Sequence, residues 1–529
     1  QSQAYEYQFD PAQDTKLSAS TDCWFAPPER LQGCKLASLD TEQGQLTILI
    51  SNKKLKEVRQ VDKNWEPPQR TSLLPASSIS TDQISQAILE TVQDWQCSQV
   101  LLPALQDLLG RRMPRIDNHS SGSLITDATD SLAAIIQAVL NLNHSALCIQ
   151  GPPGSGKTYT AAHIIVRLLQ KGKTVAVSST SHKVISNLLG RVAELAIAQG
   201  VEFQGAKVGG PSDDAVFNYS QITFKEKMQA AHPPNYQLVG ATVFQCCRSE
   251  NRGIWDYLFV DEAGQVSLAN LIAKARCADN LVLMGDQMQL EQPIQGSHPG
   301  ESGTSGLGYF LNGKATVPPE LGVFLDVSYR MHPEICQFIS ELVYEGRLTH
   351  HPDTAHHEIA LPANYPGRVN KNSGILFIPV EHEGNTQSSE EEVEAVETLI
   401  SELAGVAYIS NRGQKQGVIG SQDILVVAPY NMQVRKLQER LRDRARIGTV
   451  DKFQGQEAPV VIVSMCASSG DSAPRGLEFL LNRNRLNVAI SRAQCLSIVV
   501  GSPALALTPC STISQMELVN TFCKVITHS

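Results

Sequence analysis

Gln150–Thr160 reads QGPPGSGKTYT and follows directly on the apolar run Ala146–Ile149. Four apolar residues, a glycine-rich stretch and then a helix-forming stretch predict a strand, a tight loop and a helix, in that order. Gly151-x4-Gly156-Lys157-Thr158 satisfies the phosphate-loop pattern in the context that the pattern requires. Glycines let the backbone N–H groups of such a loop turn inward on phosphates, at a helix N-terminus whose dipole favours anions. Lys157 is placed to reach the β and γ phosphates of a nucleotide and Thr158 to give an oxygen to Mg²⁺. The whole run Gly151, Pro152, Pro153, Gly154, Ser155, Gly156, Lys157, Thr158, Tyr159 is the candidate nucleotide cradle, with ATP and Mg²⁺ as its ligands.

A loop of this kind needs a carboxylate-bearing strand end to hold the metal and prepare water. YLFVDEAGQ, 257–265, supplies one: apolar residues, then Asp261 and Glu262. Asp261 is the expected Mg²⁺ support and Glu262 the general base toward the attacking water. A base that activates water points to hydrolysis rather than transfer to an acceptor, which disfavours a kinase.

The wider composition is that of an ordinary globular protein. Hydrophobic residues make up 42% and charged residues 18% of 529 positions. No apolar run reaches the roughly 18 residues that a membrane helix needs, so no membrane association is expected. The first residues carry no signal-peptide pattern, and no initiator Met precedes them; a processed chain or a fragment of something longer fits both. The 12 cysteines include no Cys-x-x-Cys pair, which argues against a zinc ribbon or an iron–sulfur clasp and for free thiols in the cytoplasm. A net charge of −9 argues against indiscriminate coating of nucleic acid but permits a narrow basic channel.

Short alternating stretches such as Gln45–Ile50, broken by Gly and Pro, predict a small β-barrel over residues 1–75. Residues 82–109 carry helical spacing, so 1–120 is read as barrel plus helical stalk. From about residue 125 strands alternate with helices, which implies a parallel sheet. Residues 121–322 form the first α/β domain, interrupted by an insertion over 201–236, and 323–529 the second. The fold class is therefore α/β: two parallel-sheet phosphate-loop domains behind a barrel and stalk. The polar loop THHPDTAHHE, 349–358, holds four His without the spacing of a metal site, and the acids of 388–400 suit a helix N-terminus.

DEAGQ, GDQMQL (285–290), SYRMHPEI (328–335), VDKFQGQE (450–457) and LNVAISRA (486–493) follow the phosphate loop in order. Together they resemble the superfamily-1 helicases, in the 1B branch that includes the nonsense-mediated-decay helicase and the Okazaki-fragment nuclease–helicase. The segment SSTSHKVISNLL further resembles prokaryotic fusions in which a RecB-like nuclease precedes such a helicase. The resemblance implies two RecA-like domains. It also implies that Gln289 senses the γ-phosphate, and that Arg330 and Arg492 are arginine fingers. Tyr329 is then the base-stacking aromatic, Glu457 the acid near the ribose, and Gly455 the residue that keeps the backbone close. One departure is clear: the Gln that relatives place upstream of the loop to read adenine has no counterpart in DATDSLAAIIQ, 127–137, where the position falls near Leu132. Ser328 also stands where relatives often have Gln.

The resemblance lays a single nucleic-acid strand across both halves, past Ser179, Thr180, Thr242, Pro429, Tyr430 and Thr449. Small hydroxyls and backbone amides on phosphates hold position without reading sequence. The expected activity is an ATP-dependent helicase or translocase on single-stranded nucleic acid, DNA favoured over RNA, moving 5′ to 3′ by analogy. A monomer is expected, with a nuclease domain N-terminal to the chain as a possible partner. Three alternatives remain open at the level of sequence: a nucleotide-gated single-strand clamp, an RNA helicase, and a switch ATPase without a nucleic-acid partner. No cluster of acids and Lys in residues 1–120 suits a nuclease, so the chain itself is not expected to cut DNA.

Overall fold

The computed structural model describes residues 2–529 except 11–14, 16, 27–32, 42, 77–79, 120, 126–130, 293–297, 363–364, 411–414, 454 and 471–474. The chain divides into two compact units, residues 1–80 with 430–432, and 81–429 with 433–529. Residues 127–130, part of the stretch compared above with the adenine-reading segment, lie outside the described residues.

In the first unit, strands Ser2–Gln8, Gln45–Ser51, Gly33–Asp40, Asp22–Ala26 and Ser72–Pro75 lie side by side in that order, every pair antiparallel. Alternate residues Cys23, Phe25, Cys34, Leu36, Ile48 and Ile50 point to one small core, closed by Leu55 of helix Asn52–Val61. The first and last strands of the order do not pair with each other among the described residues, so the expected barrel is an open one.

The second unit holds two parallel sheets. The first has eight strands in the order Gly322–Phe324, Ala146–Gln150, Ala278–Gly285, Trp255–Val260, Val175–Ser178, Leu238–Gly240, Gly205–Val208, Ile222–Lys225. Its central strands are continuous apolar runs because both faces are covered. Leu147 and Ile149 face a core with helices Lys157–Gln170 and His182–Gln199, while Ala146 and Cys148 face one with helices Pro103–Leu109 and Leu268–Ala275. Residues 201–236 supply the two strands at one edge of this sheet rather than interrupting it. Each is only four residues long, too short to carry a readable alternation.

The second sheet has five strands in the order Gly374–Pro379, Ala493–Gly501, Ala458–Ser464, Ile424–Val427, Arg446–Gly448. Helix Glu390–Leu403 packs on one face through Val393, Val396 and Leu399. The stalk region is two helices, Asp82–Ser98 and Pro103–Leu109, separated where Gln99 takes a left-handed conformation and Pro103 starts the next helix. Among the described residues no helix is long and apolar enough to cross a membrane.

Candidate functional site at the strand ends

The predicted loop joins strand Ala146–Gln150 to helix Lys157–Gln170. Gly154 and Gly156 have φ of +74° and +80°, a region that costs other residues energy. A Cβ on Gly151 would collide with the Lys157 side chain, and one on Gly154 with Cβ of Arg330 at 2.5 Å. Lys157 Nζ donates to the Gly151 carbonyl at 2.5 Å, so the ammonium closes over the loop. Pro152, Pro153 and Ser155 are buried beneath it, while Thr158 and Tyr159 stand exposed on the first helical turn.

Asp261 and Glu262 follow strand Trp255–Val260 at the same edge. Asp261 is 7% exposed; burial first and the Glu262 charge second push its carboxyl up, with the Glu262 N–H and Lys157 opposing. Glu262 sits at φ 54°, a strained conformation for a residue with a side chain and one that collects at functional sites. The cradle that a Cβ would fill, and a buried carboxyl whose charge is only partly compensated, both suit a nucleoside triphosphate with Mg²⁺.

The stretch 327–330 brings the second half onto this loop. Tyr329 N donates to the Gly154 carbonyl at 2.9 Å and Ser328 Oγ to the Pro153 carbonyl at 3.2 Å. The short Ser328 side chain lies buried in that seam. Tyr329 is 43% exposed, and its ring lies 5.0 Å from that of His351. With Ser131, Leu132, Tyr159, Thr160 and Asp326 it walls a cavity of about 480 Å³ beside Gly154–Gly156. Of the four-His loop, His351 is the ring that packs beside Tyr329; among the described residues no group of three or more His, Cys, Asp or Glu is set to hold a metal.

Arg330 and Glu457 hold each other: Nε donates to Oε2 at 2.5 Å, and Gln494 donates to the other carboxylate oxygen at 2.8 Å. Burial pushes the Glu457 carboxyl up, but the Arg330 charge and hydrogen bond more than offset that and hold it below the usual range. Arg492 is buried, and burial first, then the neighbouring Arg330, lowers its guanidinium to about 9. Its Nε is buried with no hydrogen-bond partner among the described residues, while Glu262 and Glu457 lie within electrostatic reach. A buried cation with an unused donor is poised for an anion.

Other expected residues land differently. Gln289 is buried, and its amide donates to Asp286 at 2.9 Å. Gly455 has a φ of +76°, which favours glycine, and a Cβ there would meet no protein atom within 4 Å, so the backbone is open on that side. Ser179 is only 2% exposed, its hydroxyl buried without a partner among the described residues, because it continues the buried strand Val175–Ser178. Thr180 is exposed, and Thr242, Pro429 and Thr449 are half-buried, all just beyond C-terminal strand ends; Tyr430 is buried.

Sequence reasoning missed two buried carboxylates. Asp286 accepts from Gln150, Met288 N, Gln289 and Tyr344, and Asn487 donates to both Tyr344 Oη and the Met288 carbonyl. Asp286 lies inside the quoted GDQMQL and is one residue beyond its strand, the signal that was available. Glu392 accepts from Ser464 Oγ at 2.6 Å and Cys466 N at 2.9 Å, and pairs with His382 at 3.0 Å.

Two family models, each described as an AAA domain, match residues 135–294 and 312–504. The DNA replication ATP-dependent helicase/nuclease dna2 of Schizosaccharomyces pombe is 27% identical over 406 residues, 72% of this chain and 27% of that protein. Its counterpart DNA2 of Homo sapiens is 26% identical over 448 residues, 77% of this chain and 41% of its own length. The Regulator of nonsense transcripts 1 homolog of Drosophila melanogaster is 27% identical over 402 residues, 67% of this chain and 33% of that protein. The chain therefore spans between about a quarter and two fifths of the length of these relatives. Arterivirus nonstructural protein 10 (helicase) aligns over 95% of this chain and 77% of its own at 12% identity with a TM-score of 0.39, too slight a likeness to add to the sheet order. The matched segments fall on the two parallel sheets, and relatives of both the replication and the nonsense-transcript kind align across them: the chain belongs to the superfamily-1 helicases, in branch 1B.

Proposed function

We propose that this chain is an ATP-hydrolysing motor that moves along single-stranded nucleic acid, DNA before RNA, and separates strands ahead of it, travelling 5′ to 3′. The single observation that carries the reading is the seam at Gly154: a phosphate cradle on one sheet with Arg330 of the second half against it, and Arg492 within electrostatic reach of Arg330 and Glu262. Lys157, the loop N–H groups and Tyr329 bind and orient the nucleotide. Thr158 and Asp261 would hold Mg²⁺, which supplies charge neutralisation on the β and γ phosphates. Glu262 takes the proton of the attacking water, and the two guanidinium groups face the charge that grows on the phosphoryl oxygens. Lys157 and Arg330 are each occupied by a protein partner, so nucleotide must draw them away, Arg330 from Glu457 included. Gln289 follows through its bond to Asp286. Because the arginines come from the other half, hydrolysis is tied to closure of the cleft, and closure to a step along the strand.

The track runs past Thr180, Thr242, Pro429 and Thr449 at the strand ends, with Ser179 shaping it from beneath. Work beside a nuclease, as the names of the dna2 relatives suggest, belongs to the same reading, as does a monomeric motor in the cytoplasm. The name of the Drosophila relative favours RNA as the second reading for the track. ATP hydrolysis measured without nucleic acid, with single-stranded DNA and with single-stranded RNA tests all of this. DNA stimulation is expected, falling with salt as phosphate contacts are screened. Glu262→Gln should lower the stimulated rate by a factor on the order of 10³ and abolish unwinding while single-strand binding persists. A rate indifferent to both strands would overturn the motor reading.

A further inference from the structure

The cavity beside Gly154–Gly156 has a distinctive set of polar groups. Tyr329 offers a ring face and Leu132 an apolar wall, where an amide would have presented a donor and an acceptor together. The ionised side chain on the wall is Asp326. Its main-chain carbonyl is already taken, by the Thr349 N–H at 2.7 Å and the Thr349 hydroxyl at 2.9 Å, and strand Val327–Ser328 follows directly. The backbone is therefore pinned. Among the described residues no hydrogen bond or ion pair engages the Asp326 carboxylate, and the residue is exposed to the cavity mouth.

A carboxylate accepts hydrogen bonds and gives none. Guanine presents two adjacent donors on one edge, N1–H and the N2 amino group, which match the two oxygens of a carboxylate in a bidentate, charge-assisted pair. Adenine offers such an edge a single donor, its N6 amino group, and sets the acceptor N1 beside it, against the negative charge. Cytosine presents the same mixed edge as adenine, and both pyrimidines cover less of the Tyr329 ring. We infer that this cavity accepts guanine: the enzyme hydrolyses GTP at least as well as ATP, and Asp326 is the residue that sets the choice. The inference rests on the nucleotide-site reading above and deepens it to a substrate class, purine nucleoside triphosphates rather than ATP alone.

The test uses the full chain with single-stranded DNA and compares kcat/KM for ATP, GTP, CTP and UTP, alongside displacement of a fluorescent nucleotide by ADP and GDP. A GTP-to-ATP ratio of about one or more is expected, with both pyrimidine nucleotides lower. Asp326→Asn should lower that ratio about tenfold, mostly through the KM for GTP, with ATP changed by less than about threefold. Leu132→Gln, which restores an amide, should raise ATP relative to GTP. A wild-type preference for ATP of more than about tenfold, or a ratio unmoved by Asp326→Asn while ATP turnover persists, overturns the inference. Absence of binding by every nucleotide overturns the nucleotide site itself, a result separate from either of these.

Discussion

Asp286 and Glu392 are both buried carboxylates beside strand ends, and among the described residues neither is paired with Lys or Arg. Each is satisfied instead by hydroxyls, amides, a ring nitrogen or backbone N–H groups, the arrangement that holds a charge in place without an ion pair. Their partners differ in origin. Glu392 is held within the second half, by Ser464, Cys466 N and His382. Asp286 ends a strand of the first sheet and reaches across to Tyr344, which follows helix Pro333–Val343, and through Tyr344 to Asn487. The same chemistry thus stiffens one half in the first case and ties the two halves together in the second. Breaking them should separate stability from coupling.

The largest effect is expected at Glu392. Replacing it by Ala strands Ser464, His382 and the Cys466 N–H in the interior, and should cost about 3–5 kcal/mol in urea unfolding. Basal ATP hydrolysis well below the melting temperature should remain. A loss under about 1 kcal/mol would mean that the pocket admits water and that the comparison fails. Asp286→Ala comes next, at about 2–3 kcal/mol, since its four donors include two amides that re-orient. Here the stimulated rate should fall more than stability accounts for, because Gln289 and Tyr344 lose their common anchor. Equal losses in both measurements would make Asp286 a packing residue only.

These two residues also mark where the sequence stops being legible. The phosphate loop, the Asp261–Glu262 pair and the ordered motifs are local patterns, and the strands and helices around them fall within a few residues of expectation. Asp286 draws its meaning from Gln150, 136 residues earlier, and Asn487 from Tyr344, 143 residues away. No spacing rule contains such pairs. Glu392 stands in a run of three Glu at a helix start, and only the helical phase that buries Val393 and Val396 selects it. Residues 201–236 were opaque for the opposite reason: the strands are short, and one of them buries Lys207 completely.

That lysine sharpens the comparison with a third carboxylate, one that does have a cation. Asp214 receives Lys207 Nζ at 2.7 Å, Ser186 Oγ at 2.6 Å and Val216 N at 3.0 Å. Burial pushes its carboxyl up, but the Lys207 hydrogen bond, with Ser186 and Val216 N, overcomes that and holds it at about 2 against an ordinary 3.8. The group is charged in both states above pH 4, so its contribution is fully present there. It is lost as pH falls from about 4 to about 2, by about 2 kcal/mol. Urea unfolding of wild type and Asp214→Asn across that window reads it: the wild type should lose about 2 kcal/mol more than the variant between pH 4 and pH 2. Equal losses in the two would assign the acid sensitivity to other carboxylates.

The smallest expected effect discriminates most finely. Tyr344→Phe removes one hydroxyl between Asp286 and Asn487 and leaves the ring in place. Burial first and the Asp286 charge second raise this phenol well above its ordinary range, so in the folded protein it stays protonated and donates to Asp286 at 2.6 Å. Loss of that bond leaves Asp286 with three donors and returns Asn487 to the Met288 carbonyl alone, a cost of about 1 kcal/mol. Stability should therefore barely move. If the Asp286–Tyr344–Asn487 chain carries closure from one sheet to the other, the DNA-stimulated rate should fall severalfold while the unstimulated rate holds. A variant with both rates intact would locate the coupling at the Gly154–Arg330 seam instead, and leave Asp286 as the brace of a single strand end.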